Sequence, residues 1–87
     1  MRNNEIEETL FEIAARLFSQ GPGFAQERVV LEQAKRKLQP KSTYDEQKIL
    51  DAWNGLFAKG RLIWGYNLSN PGPPFFHVPI ESEELVS

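Results

Sequence analysis

The architecture of this chain is most visible in LFAKGRLIWGYNLSNPGPPFFHV, residues 56–78. The stretch opens as the end of a helix, closed by Lys59 and Gly60, because a cation followed by a glycine suits a final helical turn. Two runs rich in β-forming residues follow, at about 61–66 and 75–79. The segment between them, NLSNPGPP, is dense in turn-forming residues. The stretch therefore predicts a helix that leads into an antiparallel β-hairpin with a long loop.

Upstream of the hairpin, the spacing of apolar residues predicts three amphipathic helices. The first covers about residues 4–20, with Asn4 as a candidate N-cap. The second covers about 26–38 and has Lys and Arg residues in its last turn, where cations favour the helix dipole. The third covers about 43–59, with Ser42 as its candidate N-cap. The breaks GPG and QPK separate these helices because glycine and proline interrupt helical structure.

The chain has 87 residues, of which 40% are hydrophobic and 25% are charged. This is the composition of an ordinary globular domain, so we expect one domain over residues 1–80 and an acidic tail over 81–87. The sequence has no cysteine and one histidine, which excludes disulfides, thiolate metal sites and cysteine nucleophiles. The polar amino terminus differs from a signal peptide, and the apolar runs are too short for a membrane span. We therefore expect a cytoplasmic protein without a membrane partner.

The residue types that catalyse reactions are sparse and poorly placed for chemistry. His77 lies alone on a predicted strand, with no cysteine to form a nucleophilic pair. The adjacent acids Glu7 and Glu8, like Asp45 and Glu46, occupy predicted helix starts, where carboxylates favour the helix dipole. The glycines match neither the dinucleotide-binding nor the P-loop pattern. The sequence therefore predicts no enzymatic activity, no catalytic residue, no metal site and no cofactor.

Three helices followed by a β-hairpin, in a chain of this length, resemble the winged helix-turn-helix superfamily. Residues 56–78 are similar to that superfamily's junction of third helix, glycine turn, first wing strand, loop and second wing strand. Residues 21–25 would supply the short strand that often lies between its first two helices. The resemblance covers about residues 5–80. It implies an α+β fold, mostly α, in which a three-helix winged helix-turn-helix carries a C-terminal β-hairpin wing.

The same resemblance implies double-stranded DNA as a partner and a role in transcription regulation. In the superfamily the third helix often enters the major groove, and the wing touches the backbone or the minor groove. A helical wheel places polar side chains opposite the buried stripe of the third helix, where they could read base edges. The residues at the amino end of that helix, and an arginine at the base of the wing, suit phosphate contacts. The candidate nucleic-acid-binding residues are Lys41, Ser42, Thr43, Tyr44, Gln47, Lys48, Asp51, Asn54 and Arg61.

The charge pattern supplies only part of what DNA binding needs. The net charge is −2, with acidic ends and a basic middle over residues 28–61. The outward face of the third helix carries one lysine and one aspartate, and the loop 67–74 carries no lysine or arginine. Because duplex affinity rests largely on neutralised phosphates, the cations at 35–37 would have to contribute. Those cations also suit the carboxyl end of a helix, so both interpretations stay open.

The predicted hairpin supports a second hypothesis, a protein-interaction domain that binds no nucleic acid. Strand alternation places Leu62, Trp64 and Tyr66 on one face, and apolar groups also occupy the other face. An exposed aromatic patch suits a protein partner or the seam of a homodimer. The alternative is that the first helix or the tail covers the second face of the hairpin, so that its apolar side chains are buried within the protein. On the interaction hypothesis, the candidate residues are Trp64, Tyr66, Phe75 and His77.

Overall fold

The computed structural model describes residues 2–79 and places three α-helices and a two-stranded antiparallel sheet within them. In chain order these are α1, Asn3–Gln20; α2, Glu27–Leu38; α3, Thr43–Ala58; β1, Ile63–Trp64; and β2, Phe76–His77. A short 3₁₀ turn, Pro22–Phe24, separates α1 from α2. The predicted α+β architecture, mostly α, is confirmed. The predicted acidic tail, residues 81–87, lies outside the described residues.

The starts of α3 and α1 differ in how their first N–H groups are satisfied. Ser42 is the N-cap of α3, as predicted, and its Oγ accepts a hydrogen bond from the Asp45 backbone N–H at 3.1 Å. The prediction that Asn4 caps α1 is wrong, because α1 begins at Asn3 and its N-cap position is Arg2, with no side-chain cap. A side chain caps a helix only from the flanking, non-helical position, and Asn4 already lies inside the helix.

The first hairpin strand is shorter than the predicted 61–66 because the end of α3 uses part of that segment. The backbone N–H groups of Arg61 and Leu62 donate to the Leu56 carbonyl oxygen, at 2.9 and 3.3 Å. These bonds satisfy a carbonyl at the carboxyl end of the helix, where no further helical N–H follows. The ladder therefore starts at Ile63, which pairs with His77.

Gly65 ends the same strand from the other side. Its φ is +82°, a conformation that favours glycine. A Cβ atom at this position would lie 2.3 Å from the carbonyl atoms of Pro71, so the returning loop leaves room for glycine alone. The second strand, predicted over 75–79, is likewise only Phe76–His77 among the described residues. Proline 79 has no N–H with which to extend a ladder.

The predicted short strand over 21–25 is wrong in position. That segment forms the 3₁₀ turn, whose proline and tight hydrogen bonds exclude an extended backbone. The sheet contact comes one residue later, where Gln26 forms an isolated antiparallel bridge with Phe75. The Phe76 N–H also donates to the Ala25 carbonyl oxygen at 3.2 Å. The hairpin is therefore attached to the start of α2 through the backbone.

The core is centred on Trp53 of α3, which is 1% exposed. Its ring meets Phe57, Phe76 and Trp64 edge-on, at centroid distances of 5.0, 5.5 and 6.2 Å. Its indole N–H donates to a Glu27 carboxylate oxygen at 2.8 Å, which ties α3 to the first turn of α2. The other buried side chains come from every helix and from the hairpin: Ile6, Leu10, Ile13, Ala14, Leu17, Ala25, Val30, Ala34, Ile49, Leu56, Leu62 and Phe76.

Candidate nucleic-acid interface

The outward face of α3 presents its polar side chains to solvent, as the helical wheel predicts. Tyr44 is 69% exposed, and Gln47, Asp51 and Asn54 are exposed as well. The Gln47 side-chain N–H donates to Asp51 Oδ1 at 2.9 Å, so these neighbours one turn apart hold each other in place. The fold therefore gathers four of the predicted base-contacting residues on one accessible surface.

Lys48 lies at the edge of this face and is half-buried. Its ammonium nitrogen is 5.2 Å from the centroid of the Tyr44 ring, a cation–π contact along α3. The contact limits the freedom of both side chains. Lys48 is therefore already engaged within the protein, and its charge is only partly available to a phosphate.

A groove of about 460 Å³ runs between the amino-terminal part of α1 and the outward face of α3. Asn3 and Glu7 of α1 line one side of the groove. The other side is lined by side chains of α3 and by the residue that follows it: Tyr44, Gln47, Lys48, Asp51 and Lys59. The small side chains of α3 that line it are Ala52 and Gly55. A ligand that enters this groove therefore contacts both α3 and α1.

Two acids of α1 hold the cations at the carboxyl end of α3. Lys59 Nζ lies 2.8 and 3.0 Å from the two carboxylate oxygens of Glu7. Arg61 Nη1 lies 2.5 Å from Glu8 Oε1 and 3.5 Å from Glu7 Oε1. The hydrogen bond from Lys59 holds the pKa of Glu7 below its ordinary value, and the bond to Glu8 raises the pKa of Arg61. Arg61, a predicted phosphate contact, therefore has two carboxylates as partners.

Four cations at the turn between α2 and α3 stand in a different environment. All four are exposed, and within residues 2–79 none forms an ion pair. The chain turns between them at Gln39, which has φ of +50°. Ser42 and Thr43, also predicted phosphate contacts, follow directly and are exposed. We call these four cations the junction cluster: Lys35, Arg36, Lys37 and Lys41.

Two acids in the first turn of α3 reduce the positive charge of the junction cluster without cancelling it. Asp45 is half-buried, and its Oδ2 accepts a hydrogen bond from the Lys41 backbone N–H at 3.1 Å. Glu46 and Lys35 line a shallow groove of about 160 Å³ between α2 and α3. The junction cluster thus keeps a net positive charge beside the amino end of α3, where the helix dipole also favours anions.

Trp64, a candidate for protein interaction, belongs largely to the core. Its ring stacks on Phe57 with centroids 3.9 Å apart and planes 6° apart. It is half-buried and packs against the buried residues around Trp53. Most of its apolar surface is buried within the protein, so Trp64 contributes little to an exposed patch.

The other hairpin candidates also have internal contacts, but they lie on the opposite face from Trp64. The prediction that Tyr66 shares the face of Trp64 is wrong, because Gly65, with φ of +82°, interrupts the strand alternation between them. Tyr66 packs against Phe75 with ring centroids 5.5 Å apart. His77 Nδ1 lies 2.7 Å from the Gly65 carbonyl oxygen, and its ring lies 6.4 Å from that of Phe18 in α1. These three candidates are half-buried. The structure therefore gathers them on the outer side of the hairpin, with α1 covering part of it.

Sequence reasoning missed two features of the described residues. The first is the role of Glu7 and Glu8, which were assigned to the helix dipole although they pair with Lys59 and Arg61. Those pairs are 52 and 53 residues apart in sequence, and no local pattern marks them. The second is the exposure of four large apolar side chains in separate parts of the fold: Phe24 at 58%, Leu50 at 41%, Ile63 at 43% and Leu68 at 99%.

The described part of the chain contains neither a helix that could span a membrane nor a cluster of metal-ligating side chains. Among residues 2–79, no helix is both long enough and apolar enough to cross a bilayer. The same residues contain no group of three or more His, Asp or Glu side chains placed to hold a metal ion.

One groove joins Glu7 of α1 to the outward face of α3, and a second joins Lys35 of the junction cluster to the first turn of α3. Comparison of this chain with models of known families, with characterised proteins and with solved structures gave no match.

Proposed function

We propose that this chain binds double-stranded DNA as a small winged-helix transcription regulator, through the junction cluster and the amino-terminal half of α3. The observation that carries the proposal is the pairing state of the cations. Lys59 and Arg61 are held by acids, whereas the junction cluster is exposed and has no ion pair within the described residues. Unpaired cations at a surface are the groups that release counterions from DNA and so supply affinity.

The position of the junction cluster supports this surface. Its members end α2 and immediately precede α3, so a phosphate strand that they bind would run past the amino end of α3. The exposed hydroxyls of Ser42 and Thr43 add neutral donors at the same place. The proposed phosphate contacts are therefore Lys35, Arg36, Lys37, Lys41, Ser42 and Thr43.

The outward face of α3 supplies the side chains for base recognition. The amides of Gln47 and Asn54 suit adenine edges, and the Asp51 carboxylate suits the amino group of cytosine. Tyr44, whose ring is 69% exposed, adds an aromatic contact. The hydrogen bond between Gln47 and Asp51 prearranges two of these groups, which lowers the entropy lost on binding.

The salt dependence of duplex binding tests this function. Log K for a fluorescently labelled random-sequence duplex is expected to fall with log salt with a slope of about −3 to −4, because about four phosphates are neutralised. The measurement is fluorescence anisotropy between about 50 and 200 mM salt. Binding that is absent at the lowest salt, or that has a slope near zero, contradicts the proposal.

Self-association through the outer side of the hairpin is the second candidate function. The observation that favours it is Ile63, which is 43% exposed on β1 beside His77. Side chains that face each other across antiparallel strands share one face, so these two residues continue the patch of Tyr66 and Phe75. The patch carries no formal charge with the histidine neutral, so two copies could meet there without repulsion.

Sedimentation equilibrium over a wide range of protein concentration tests this candidate. If the outer side of the hairpin is a homodimer interface, Ile63→Lys is expected to convert a concentration-dependent dimer to a monomer. Leu68→Lys is the matched control, because Leu68 is 99% exposed at the loop tip and the change adds the same charge. A wild-type chain that stays monomeric at every concentration rules this function out.

A further inference from the structure

The ion pairs between α1 and the end of α3 also bear on how this surface selects its ligand. We propose that Glu7 and Glu8 take the place of phosphate on Lys59 and Arg61, and so confine the phosphate contacts of a duplex to the junction cluster and the amino end of α3. The inference rests on the proposed DNA binding and assigns a specificity-determining role to two residues of α1. It predicts an unusual result: removing these acids strengthens binding.

Lys59 shows why the effect reaches the DNA surface. Its ammonium group lines the same groove as Tyr44, Gln47 and Asp51, so it stands beside the proposed base-contacting face. Its side chain is 60% exposed, yet both oxygens of Glu7 lie within 3.0 Å of its nitrogen. A phosphate that approached Lys59 would therefore also approach the Glu7 carboxylate, and the two negative charges would repel.

Arg61 is held more firmly than Lys59. Its guanidinium contacts both acids, and its central carbon lies 4.1 Å from the centroid of the Phe11 ring. The side chain is 33% exposed, so these contacts are only partly screened by water. A phosphate that approached Arg61 would meet the carboxylates of both Glu7 and Glu8, and their negative charge would oppose its binding.

The two acids lie on consecutive residues of a long, well-packed helix. Their carboxylates therefore compete with DNA phosphates for Lys59 and Arg61 at all times. Because α1 is fixed by the core, Glu7 and Glu8 face their cations at a high effective concentration. Two cations are therefore withheld from every duplex, whatever its sequence. Since phosphate contacts carry no sequence information, withholding them lowers non-specific affinity and leaves base contacts a larger share of binding.

The test compares two double variants with the same change in charge. Glu7→Gln with Glu8→Gln removes both paired acids and keeps their size. Glu5→Gln with Glu12→Gln is the control, because both are exposed acids of α1 without an ion pair in the described residues. Each protein is titrated into the same random-sequence duplex over about 50–200 mM salt, and its thermal unfolding is measured alongside.

The Glu7/Glu8 variant is expected to bind about 10-fold or more tightly than wild type at about 50 mM salt, with a slope steeper by about 2. The control is expected to change affinity by less than about threefold and to keep the wild-type slope. A purely structural role predicts a lower unfolding temperature and no steeper slope. Equal behaviour of the two variants overturns the inference while wild-type binding still supports the proposed function.

Two further outcomes separate the inference from the function on which it rests. If neither wild type nor the Glu7/Glu8 variant binds, both the function and the inference are overturned. If only the variant binds, the acids do withhold the cations, and the proposed function of the wild-type chain is wrong. Should the double variant fail to fold, Glu8→Gln alone carries the test, because the Glu8 side chain is 57% exposed.

Discussion

Replacing Lys35 and Lys41 together with glutamine is expected to weaken duplex binding by roughly 10- to 100-fold at about 50 mM salt. These two lysines flank the amino end of α3, one on α2 and the other just before Ser42. Loss of two phosphate contacts is also expected to reduce the steepness of the salt dependence by about 2. Fluorescence anisotropy of a labelled duplex measures both quantities.

The matched control for this change is Arg16→Gln with Arg28→Gln. It removes the same charge, but Arg16 hydrogen-bonds Gln33 at 3.2 Å and Arg28 is paired with Glu32 at 3.2 Å. The control is expected to change affinity only through the overall charge, by a few-fold at low salt, and to keep the wild-type slope. If the two double variants lose affinity equally, the junction cluster is not the contact surface.

Replacing Trp53 with alanine is expected to lower the free energy of unfolding by about 3–5 kcal/mol. The ring is 1% exposed and contacts three aromatic side chains, so its removal leaves a cavity between α3 and the hairpin. It also removes the donor that Glu27 accepts from at 2.8 Å. A domain of this size has a total stability of only about 4–13 kcal/mol, so the variant loses a large share of it.

Tyr44→Ala is the control for the Trp53 variant. It removes an aromatic ring from the same helix, but that ring is 69% exposed. The expected change is within about 0.5 kcal/mol, typical of surface substitutions. Urea unfolding followed by circular dichroism compares the two variants with wild type. Similar midpoints for both variants would show that the core is not centred on Trp53.

The helices follow from the sequence because their signals are local. Apolar residues at spacings of three and four predict α1 and α3, and Ser42 predicts the start of α3 through a hydrogen bond three residues away. The bounds of all three helices agree with prediction to within one residue. The Asn4 cap fails because a one-residue shift of a helix start moves a capping side chain into the helix.

The hairpin was predicted in kind but not in extent, because its ends depend on contacts outside the local pattern. The Leu56 carbonyl oxygen accepts hydrogen bonds from the N–H groups of Arg61 and Leu62, so these two residues belong to the end of α3 and the strand is shorter. Gly65 adopts a positive φ against the Pro71 backbone, and Tyr66 then packs on Phe75. None of these contacts can be predicted from the residue types of the hairpin alone.

The candidate interface was predicted where it lies on a single helix face and missed where it depends on another element. Tyr44, Gln47, Asp51 and Asn54 share a face because of helical periodicity alone. Arg61 was assigned to phosphate from its place at the base of the wing, and its ion pairs were not predicted because its partners lie on α1, more than 50 residues away. Trp64 was assigned to an exposed patch from strand alternation, and its burial was not predicted because its stacking on Phe57 depends on how the hairpin docks on α3.

An amide-resolved NMR titration of the labelled chain with a random-sequence duplex, at about 50 mM and then about 200 mM salt, tests DNA binding by the junction cluster most directly. We predict salt-sensitive shifts over residues 35–48 and at Asn54, with small changes over the loop 67–74. A spectrum that does not change at the lower salt, or shifts confined to Ile63, Tyr66, Phe75 and His77, would contradict it.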